Sequence, residues 1–471
     1  MKYILITAML LVTLNLSAQT CSCEKEFLYV KSVVENGFAG FPDYVKKVTE
    51  AGYKKKVDQF LKLTHNKFSS DNCILIISQY LDLFNSYHLG YFSDFDGSKI
   101  DTPFVNQRPL FNITDKDIAR LKKSRSWEGI YYFRRDSSIK IALIKDPAVM
   151  HDYVGITLES KLPTWKKGMI KLEGKLVNDS VMKGLYFMRN HRPEEQDWGL
   201  WDDNNRISGD WLREGASIKP EIARVASSPR KSSPAIDARS LSASTFYIKM
   251  ANFGPSAKRP IDSILKANEQ LLNTVPNLIL DIRGNGGGGD ACWEPFIPYF
   301  YTNPVRMIGA DALASETTIG IIKKRLENKN ISKEEIDYLN KKLALMENKK
   351  GQWVTSNADE IDSAFTEKAF PKKIIMIVNN ECGSAAEEFL LAARQSSKVT
   401  LVGENSIGNL DYSNVLYAPF LCSPYTLQYP ITRSRRLDLG QGIDNVGIAP
   451  KIYLPKGKDW LEEALKIAEQ Q

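Results

Sequence analysis

Leu278 to Asp290 reads LILDIRGNGGGGD, and further along Ile374 to Leu391 reads IIMIVNNECGSAAEEFLL. Each is an apolar run of buried-strand type that breaks into a backbone-exposing turn. In the first, Gly284 and Gly286 to Gly289 bare their amide N–H groups where side chains would crowd a ligand. In the second, the run ends at Gly383-Ser384 and a helical pattern starts at once. A serine hydroxyl at a strand-to-helix turn, with a separate glycine loop able to bind an oxyanion, is the minimum equipment for acyl transfer. The two stretches together predict a serine hydrolase on an α/β core.

Around them strands and helices alternate, as FYIKMA, IDSILKANEQLL, LILDIRG, IIMIVNN, AAEEFLLAARQ and VTLVGE. This alternation predicts a multidomain α/β protein whose core, residues 236–471, holds a mainly parallel sheet. Inside the core, Glu316 to Lys350 is rich in lysine and glutamate and reads as a helical hairpin inserted over 312–352, either a solvated surface element or a lid over the site. Upstream, Ser227 to Ala235 (SSPRKSSPA) reads as a linker. Short β-type runs such as WEGIYYFRR and IKIALIK make 113–235 a β-rich module with that linker. Helical periodicity, as in DYVKKVTEAGYKKKVDQFLKL, makes 19–112 a helical N-terminal domain.

A chain of 471 residues suits two or three domains. Its formal charge of +7 is small for that length, and no basic block is interleaved with aromatics, so nucleic acid is not an expected partner. Lys2 followed by YILITAMLLVTLNL and Ser17-Ala18-Gln19 predicts a cleaved signal peptide over 1–18 and an exported protein, periplasmic or extracellular. That apolar stretch is too short to span a bilayer and no later one is longer, so no integral membrane span is expected. Cys21, in AQTC, leaves a lipid anchor as an alternative. Six cysteines in an oxidising compartment permit disulfides without fixing their pairing. Only Cys21 and Cys23 are close, at a spacing shorter than zinc ligands use, so no metal is expected.

Ser384 with Glu387 forms a capping box in sequence, which by itself explains a serine there. Its place at the carboxyl end of a strand, ahead of a helix N-terminus that favours an oxyanion, makes it the candidate nucleophile. The Ala385 amide is then one oxyanion donor and the Gly286-Gly287 turn the source of the second. A serine needs a base. Among His65, His88, His151 and His191, His88 stands out in FNSYHLGYF, a turn flanked by aromatics. Asp281 and Arg283 read as turn-stabilising, Asp411 and Tyr412 as surface loop, and Cys382 as a packing or disulfide residue.

The order of DIRGNGGGG, NNECGSAAEEF, VTLVGENSIGN and GIDNVGIAP resembles the C-terminal processing and tricorn-type serine peptidase family over roughly residues 240–471. The resemblance implies a ClpP/crotonase-like core, Ser384 as nucleophile, and an oxyanion hole from the Gly286 amide and the amide after the serine. In the C-terminal processing branch a lysine base occupies the position that is Asn409 here. An asparagine amide is no base, so a Ser–Lys dyad is not expected. The tricorn-like branch implies His88 as base, Ser86 as a further member of the set, and Asp444 of IDNVGIAP as the carboxylate orienting the base, in place of a glutamate. No GLGF-like loop is present, so recognition of a peptide C-terminus is not expected. The function implied is an exported serine endopeptidase working through an acyl-enzyme on Ser384, with peptide or protein substrates and no cofactor. The alternatives are a non-catalytic ligand- or peptide-binding protein on the same fold, and an esterase.

Overall fold

The computed structural model describes residues 22–65, 69–93, 110–133, 138–147, 151–179, 181–201, 204–207, 211–216, 236–329, 331–455 and 457–470. The expected signal peptide, Cys21 and the linker at 227–235 lie outside the described residues.

In chain order, four helices, α1 (Cys23–Gly37), α2 (Phe41–Val48), α3 (Glu50–Thr64) and α4 (Ser69–Asp82), precede the short strand β1 (Gly90–Phe92) and helix α5 (Asp115–Lys123). Strands β2 (Gly129–Phe133), β3 (Ile139–Lys145), β4 (Tyr153–Ser160), β5 (Ile170–Asn178), β6 (Val181–Phe187), β7 (Pro193–Trp201), β8 (Arg206–Ile207) and β9 (Trp211–Arg213) close into a barrel. Closure removes the unpaired edges that short polar-flanked strands would otherwise expose.

Next come β10 (Ile236–Ser240), β11 (Thr245–Met250), α6 (Lys258–Ala267), α7 (Glu269–Leu272), β12 (Asn277–Asp281) and α8 (Ile297–Phe300). They are followed by β13 (Val305–Met307), β14 (Ala310–Leu313), α9 (Glu316–Leu326), α10 (Lys333–Met346), β15 (Trp353–Asn357) and β16 (Glu360–Asp362). The chain ends with β17 (Lys373–Val378), α11 (Ala385–Ala393), β18 (Val399–Gly403), β19 (Tyr412–Pro419), β20 (Thr426–Ser434), β21 (Ile452–Tyr453) and α12 (Trp460–Glu469).

Strands β10-β11-β12-β17-β18-β21 form one sheet. β10 is antiparallel to β11, and the other four pairings are parallel. Leu278, Leu280, Ile374, Met376 and Val378 pack on one face with Ile261 of α6 and Phe389 of α11. Ile279, Ile375, Ile377 and Val402 pack on the other with Ala464 and Ala468 of α12. Burial on both faces is why these strands read as unbroken apolar runs. Each such side chain taken from water contributes about 1.5–3 kcal/mol. β12, β17 and β18 run in the same direction, so the loops after Asp281, Val378 and Gly403 emerge together at one end of the sheet, where open α/β folds place their ligands.

A second sheet is built around β20, which pairs with β19 on one side and with β1 and β14 on the other; β15 extends β14. Phe27, Val30 and Val34 of α1, Tyr80 of α4, Tyr429 and Ile431 of β20, and Trp198 of the barrel belong to one continuous core. The helical N-terminal segment therefore has no core of its own, in contrast to the separate domain read from its periodicity. The barrel docks on α4 and β20 through Ser78–Glu195, Lys183–Asp82 at 3.7 Å, and the Arg192 guanidinium 5.5 Å above the Tyr425 ring. The inserted hairpin is α9 and α10, whose Ile319, Ile322, Leu339 and Met346 are buried in that same core. This anchoring is at odds with a mobile lid. Cys23 and Cys73 form a disulfide joining α1 to α4. Cys422 is also disulfide-bonded, whereas Cys292 and Cys382 are free and buried. Among the described residues no helix is long and apolar enough to cross a membrane.

Candidate active site

Ser384 sits between the end of β17 and the first turn of α11 with φ 55° and ψ −125°. An ordinary N-cap residue is extended, so this is not a simple helix cap. A non-glycine residue held there stores roughly 1–3 kcal/mol of strain and persists only where its surroundings enforce it. Glu387, fully buried, supplies the enforcement. Its Oε2 accepts from the Ser384 amide at 3.2 Å and the Asn409 amide at 2.8 Å, and its Oε1 from Ser406 Oγ at 2.6 Å and the Gly408 amide at 2.8 Å. Burial raises the Glu387 pKa, and these donors, Ser406 foremost, pull the other way.

The glycine loop is fastened to the same turn by Asn285, also fully buried. Its carbonyl accepts from the Gly383 amide at 3.0 Å, its Nδ2 donates to the Met250 carbonyl at 3.0 Å, and its Oδ1 accepts from the Gly287 amide at 2.9 Å. Gly287, at φ 103°, passes so close to the serine that a Cβ there would lie 2.7 Å from both the Gly383 carbonyl oxygen and Ser384 Cβ, and 3.0 Å from the Ala385 nitrogen. The Gly287 amide is thus already committed to Asn285, which corrects its expected role as an oxyanion donor. The amides of Gly286 and Ala385 have no acceptor among the described residues.

His88 lies in the turn between α4 and β1. Pairing of Gly90, Tyr91 and Phe92 with Gln428, Leu427 and Thr426 of β20 carries that turn to the start of β19. There His88 Nδ1 donates to the Tyr412 carbonyl at 2.7 Å. A ring that donates from Nδ1 in its neutral form keeps a lone pair on Nε2, and burial holds the pKa of His88 below the ordinary value, favouring that form. Tyr412 is itself fixed by its hydroxyl, which donates to Asp43 of α2 at 2.8 Å.

Asp444 does not fill the place expected for it. Its Oδ1 accepts from the Leu410 and Asp411 amides, each at 2.7 Å, while Asp411 Oδ2 accepts from the Ile443 and Asp444 amides at 2.6 and 2.8 Å. The orienting partner of His88 is the Tyr412 carbonyl, and Asp444 fixes the segment that presents it. Burial first, with the charge of Asp411, pushes the Asp444 carboxyl up to about 6 against the pull of those amides. Asn445 Nδ2 donates to the Asn85 carbonyl at 2.9 Å and ties this loop to the His88 turn. Ser86 Oγ is buried with no hydrogen-bond partner, so no bond links it to His88.

Asp411 is 1% exposed, not a surface residue. Cys382, buried with its thiol donating to the Ile282 carbonyl at 3.0 Å and its pKa pushed up to about 12 by burial, is a packing residue and no nucleophile. Asp281 accepts from Arg283 at 2.8 and 2.6 Å and from Tyr247 at 2.9 Å, consistent with a structural turn. Sequence reasoning missed the clamp by Glu387 on both the serine turn and the 406–409 loop. A carboxylate flanked by Ala385, Ala386 and Phe389 on a buried helix face was the available signal. Among the described residues no group of three or more His, Cys, Asp or Glu side chains is placed to hold a metal ion.

Residues 244–454, which contain the serine turn and both loops beside it, match the family model described as peptidase family S41. The matched segment belongs to peptidase family S41. It is a serine-type peptidase segment on a mixed α/β scaffold, and the S41 match leaves out His88 and all that precedes it. Among solved structures, mature CPAF aligns with a TM-score of 0.49 at 10% identity, over 95% of this chain and 96% of that one. The photosystem II D1 C-terminal processing protease aligns with a TM-score of 0.39 at 13% identity, over 96% and 98%. The tricorn protease aligns at 0.37 and 14% identity, over 95% of this chain and 36% of its own. No curated protein matches the chain significantly.

Proposed function

We propose that the protein is an exported serine endopeptidase that cleaves peptide or protein substrates through an acyl-enzyme on Ser384. The observation that carries this reading is Ser384 in a strained turn beside two amides, Gly286 and Ala385, that have no acceptor of their own. His88 Nε2 takes the Ser384 hydroxyl proton as Oγ bonds to the scissile carbonyl carbon. The carbonyl π pair moves to oxygen, and the Gly286 and Ala385 amides hold that oxyanion, each worth on the order of 3 kcal/mol. When the intermediate collapses, the C–N bond breaks and the imidazolium returns the proton to the leaving nitrogen. Water, deprotonated by the same ring, then releases the acyl group.

Asp444 acts here through the 410–412 segment, and Ser86 has no assigned part. The core is read as ClpP/crotonase-like, carried behind a signal peptide over 1–18. The Cys23–Cys73 disulfide favours an oxidising compartment and so supports export.

The test is fluorophosphonate treatment of the mature protein followed by peptide mapping. A single adduct on Ser384, lost in Ser384→Ala and His88→Ala variants that still fold, is expected. A folded protein with no adduct, or with the adduct on another serine, overturns the reading in favour of a binding protein or a different site.

A further inference from the structure

Asn409 stands where a lysine base would stand in a Ser–Lys enzyme, yet its place in the structure gives it another task. Its backbone amide and that of Ser384 donate to the same atom, Glu387 Oε2. Two donors on one oxygen put the residues side by side. A Cβ built on Gly383, the residue before the serine, would lie 3.9 Å from Asn409 Cβ. From Asn409 the chain runs through Leu410 and Asp411, pinned by Asp444, to the Tyr412 carbonyl that holds His88. Asn409 therefore lies beside the serine turn, at the start of the segment that leads to the carbonyl holding His88.

Its side-chain oxygen is buried and has no hydrogen-bond partner among the described residues. A buried acceptor left unpaired is costly, and in a working site it marks a bond that a bound molecule completes. What arrives on the base side of a serine nucleophile is the leaving group. In a peptide the leaving atom is a nitrogen with one hydrogen. As the carbonyl carbon becomes tetrahedral the nitrogen turns pyramidal, its lone pair faces the imidazolium, and its N–H swings away from the amide plane and needs an acceptor.

Resting on the assignment of Ser384 as nucleophile, we infer that Asn409 Oδ1 accepts the N–H of the scissile bond and so makes the site selective for amides over esters. The ester analogue brings no hydrogen and leaves the oxygen unpaired, the situation in which polar sites discriminate most strongly. Leu410 and Asp411 offer their amides to Asp444 and Tyr412 its carbonyl to His88; Asp411 Oδ1 also lacks a hydrogen bond but faces the Arg436 guanidinium at 3.5 Å, whereas Asn409 Oδ1 has no such counterpart among the described residues and adjoins the serine turn.

The experiment compares a peptide amide and an ester with the same acyl part, as the ratio of their kcat/KM values. In Asn409→Leu this ratio falls roughly tenfold or more, the loss expected for one hydrogen bond made in the transition state. In Asn409→Asp, which keeps an acceptor of the same shape, the ratio stays within about threefold of the native value. Fluorophosphonate labelling of Ser384, whose chemistry involves no scissile N–H, reports in each variant that the nucleophile is intact. A fall in amide and ester turnover by the same factor in Asn409→Leu, or an unchanged ratio, overturns the assignment of Asn409. Absence of labelling and of both turnovers in the native protein instead removes the Ser384 reading, and this inference with it.

Discussion

Gly286 and Gly287 are adjacent, yet the structure sets opposite tolerances for them. A Cβ on Gly286 meets nothing within 4 Å, whereas one on Gly287 meets backbone of the serine turn at 2.7 Å in a φ that side chains rarely adopt. Gly286→Ala is therefore expected to melt within about a degree or two of the native protein, as exposed substitutions usually do. Gly287→Ala is expected to lose a few kcal/mol of stability and its fluorophosphonate labelling. Thermal melts and labelling on the same samples check both, and equal behaviour of the two would contradict the loop geometry. At this scale the sequence was most legible where a residue's chemistry is local. Gly-rich bareness and a serine at a strand end announce themselves in a few letters. It was least legible where a backbone group does the work: the Tyr412 carbonyl that orients His88 leaves no trace in residue type.

The loops behave as interlocked pairs. Asp411 holds the amides of 443–444 while Asp444 holds those of 410–411, so neither segment is fixed without the other. The Asp444 pKa, pushed up to about 6 from 3.8, sets the sign of a pH effect. Because the folded-state value is raised, the stability linked to this group is present in full below the ordinary value near 4 and is lost as pH rises through about 6. Asp444→Asn keeps an oxygen for the two amides and removes the charge. It is expected to retain activity within roughly tenfold and to flatten the decline in melting temperature between about pH 4 and pH 6. Asp444→Ala leaves two amides unpaired and is expected to lose activity far more. Were Asp444 instead the direct partner of the imidazolium, the Asn variant would fall as far as the Ala variant in kcat/KM. For His88 the lowered pKa acts in the other direction: the neutral base persists below the usual 6.5, and the acid limb of kcat/KM moves down with it. Parallel alternation and the IDNVG segment were readable as elements. Their register, which puts 410 opposite 444, depends on contacts between segments and was not.

Across the whole molecule the nucleophile and the base come from different cores. The parallel sheet has its own apolar layers on either face, whereas His88 rides on the core shared by α1–α4, the β20 sheet and the barrel. Periodicity identified those N-terminal helices but not what they pack against, because an amphipathic stripe does not name its partner. α4 leads straight into the His88 turn, and the Cys23–Cys73 bond staples it to α1. Replacing both cysteines by serine is expected to cost about 2–4 kcal/mol in denaturant unfolding. The loss is expected to fall on labelling of Ser384, through a loosened base, before it reaches the parallel sheet. A variant whose labelling outlasts its sheet on titration with urea would contradict that order.

The bond between His88 and Tyr412 spans 324 positions of the chain. On the proposed assignment, a growing or translocating polypeptide is inert for as long as that stretch takes to emerge, roughly a quarter of a minute to a minute at ordinary rates of synthesis. On that assignment the order of the letters is itself a safety catch, since the base gains its orienting carbonyl only once nearly the whole chain has emerged.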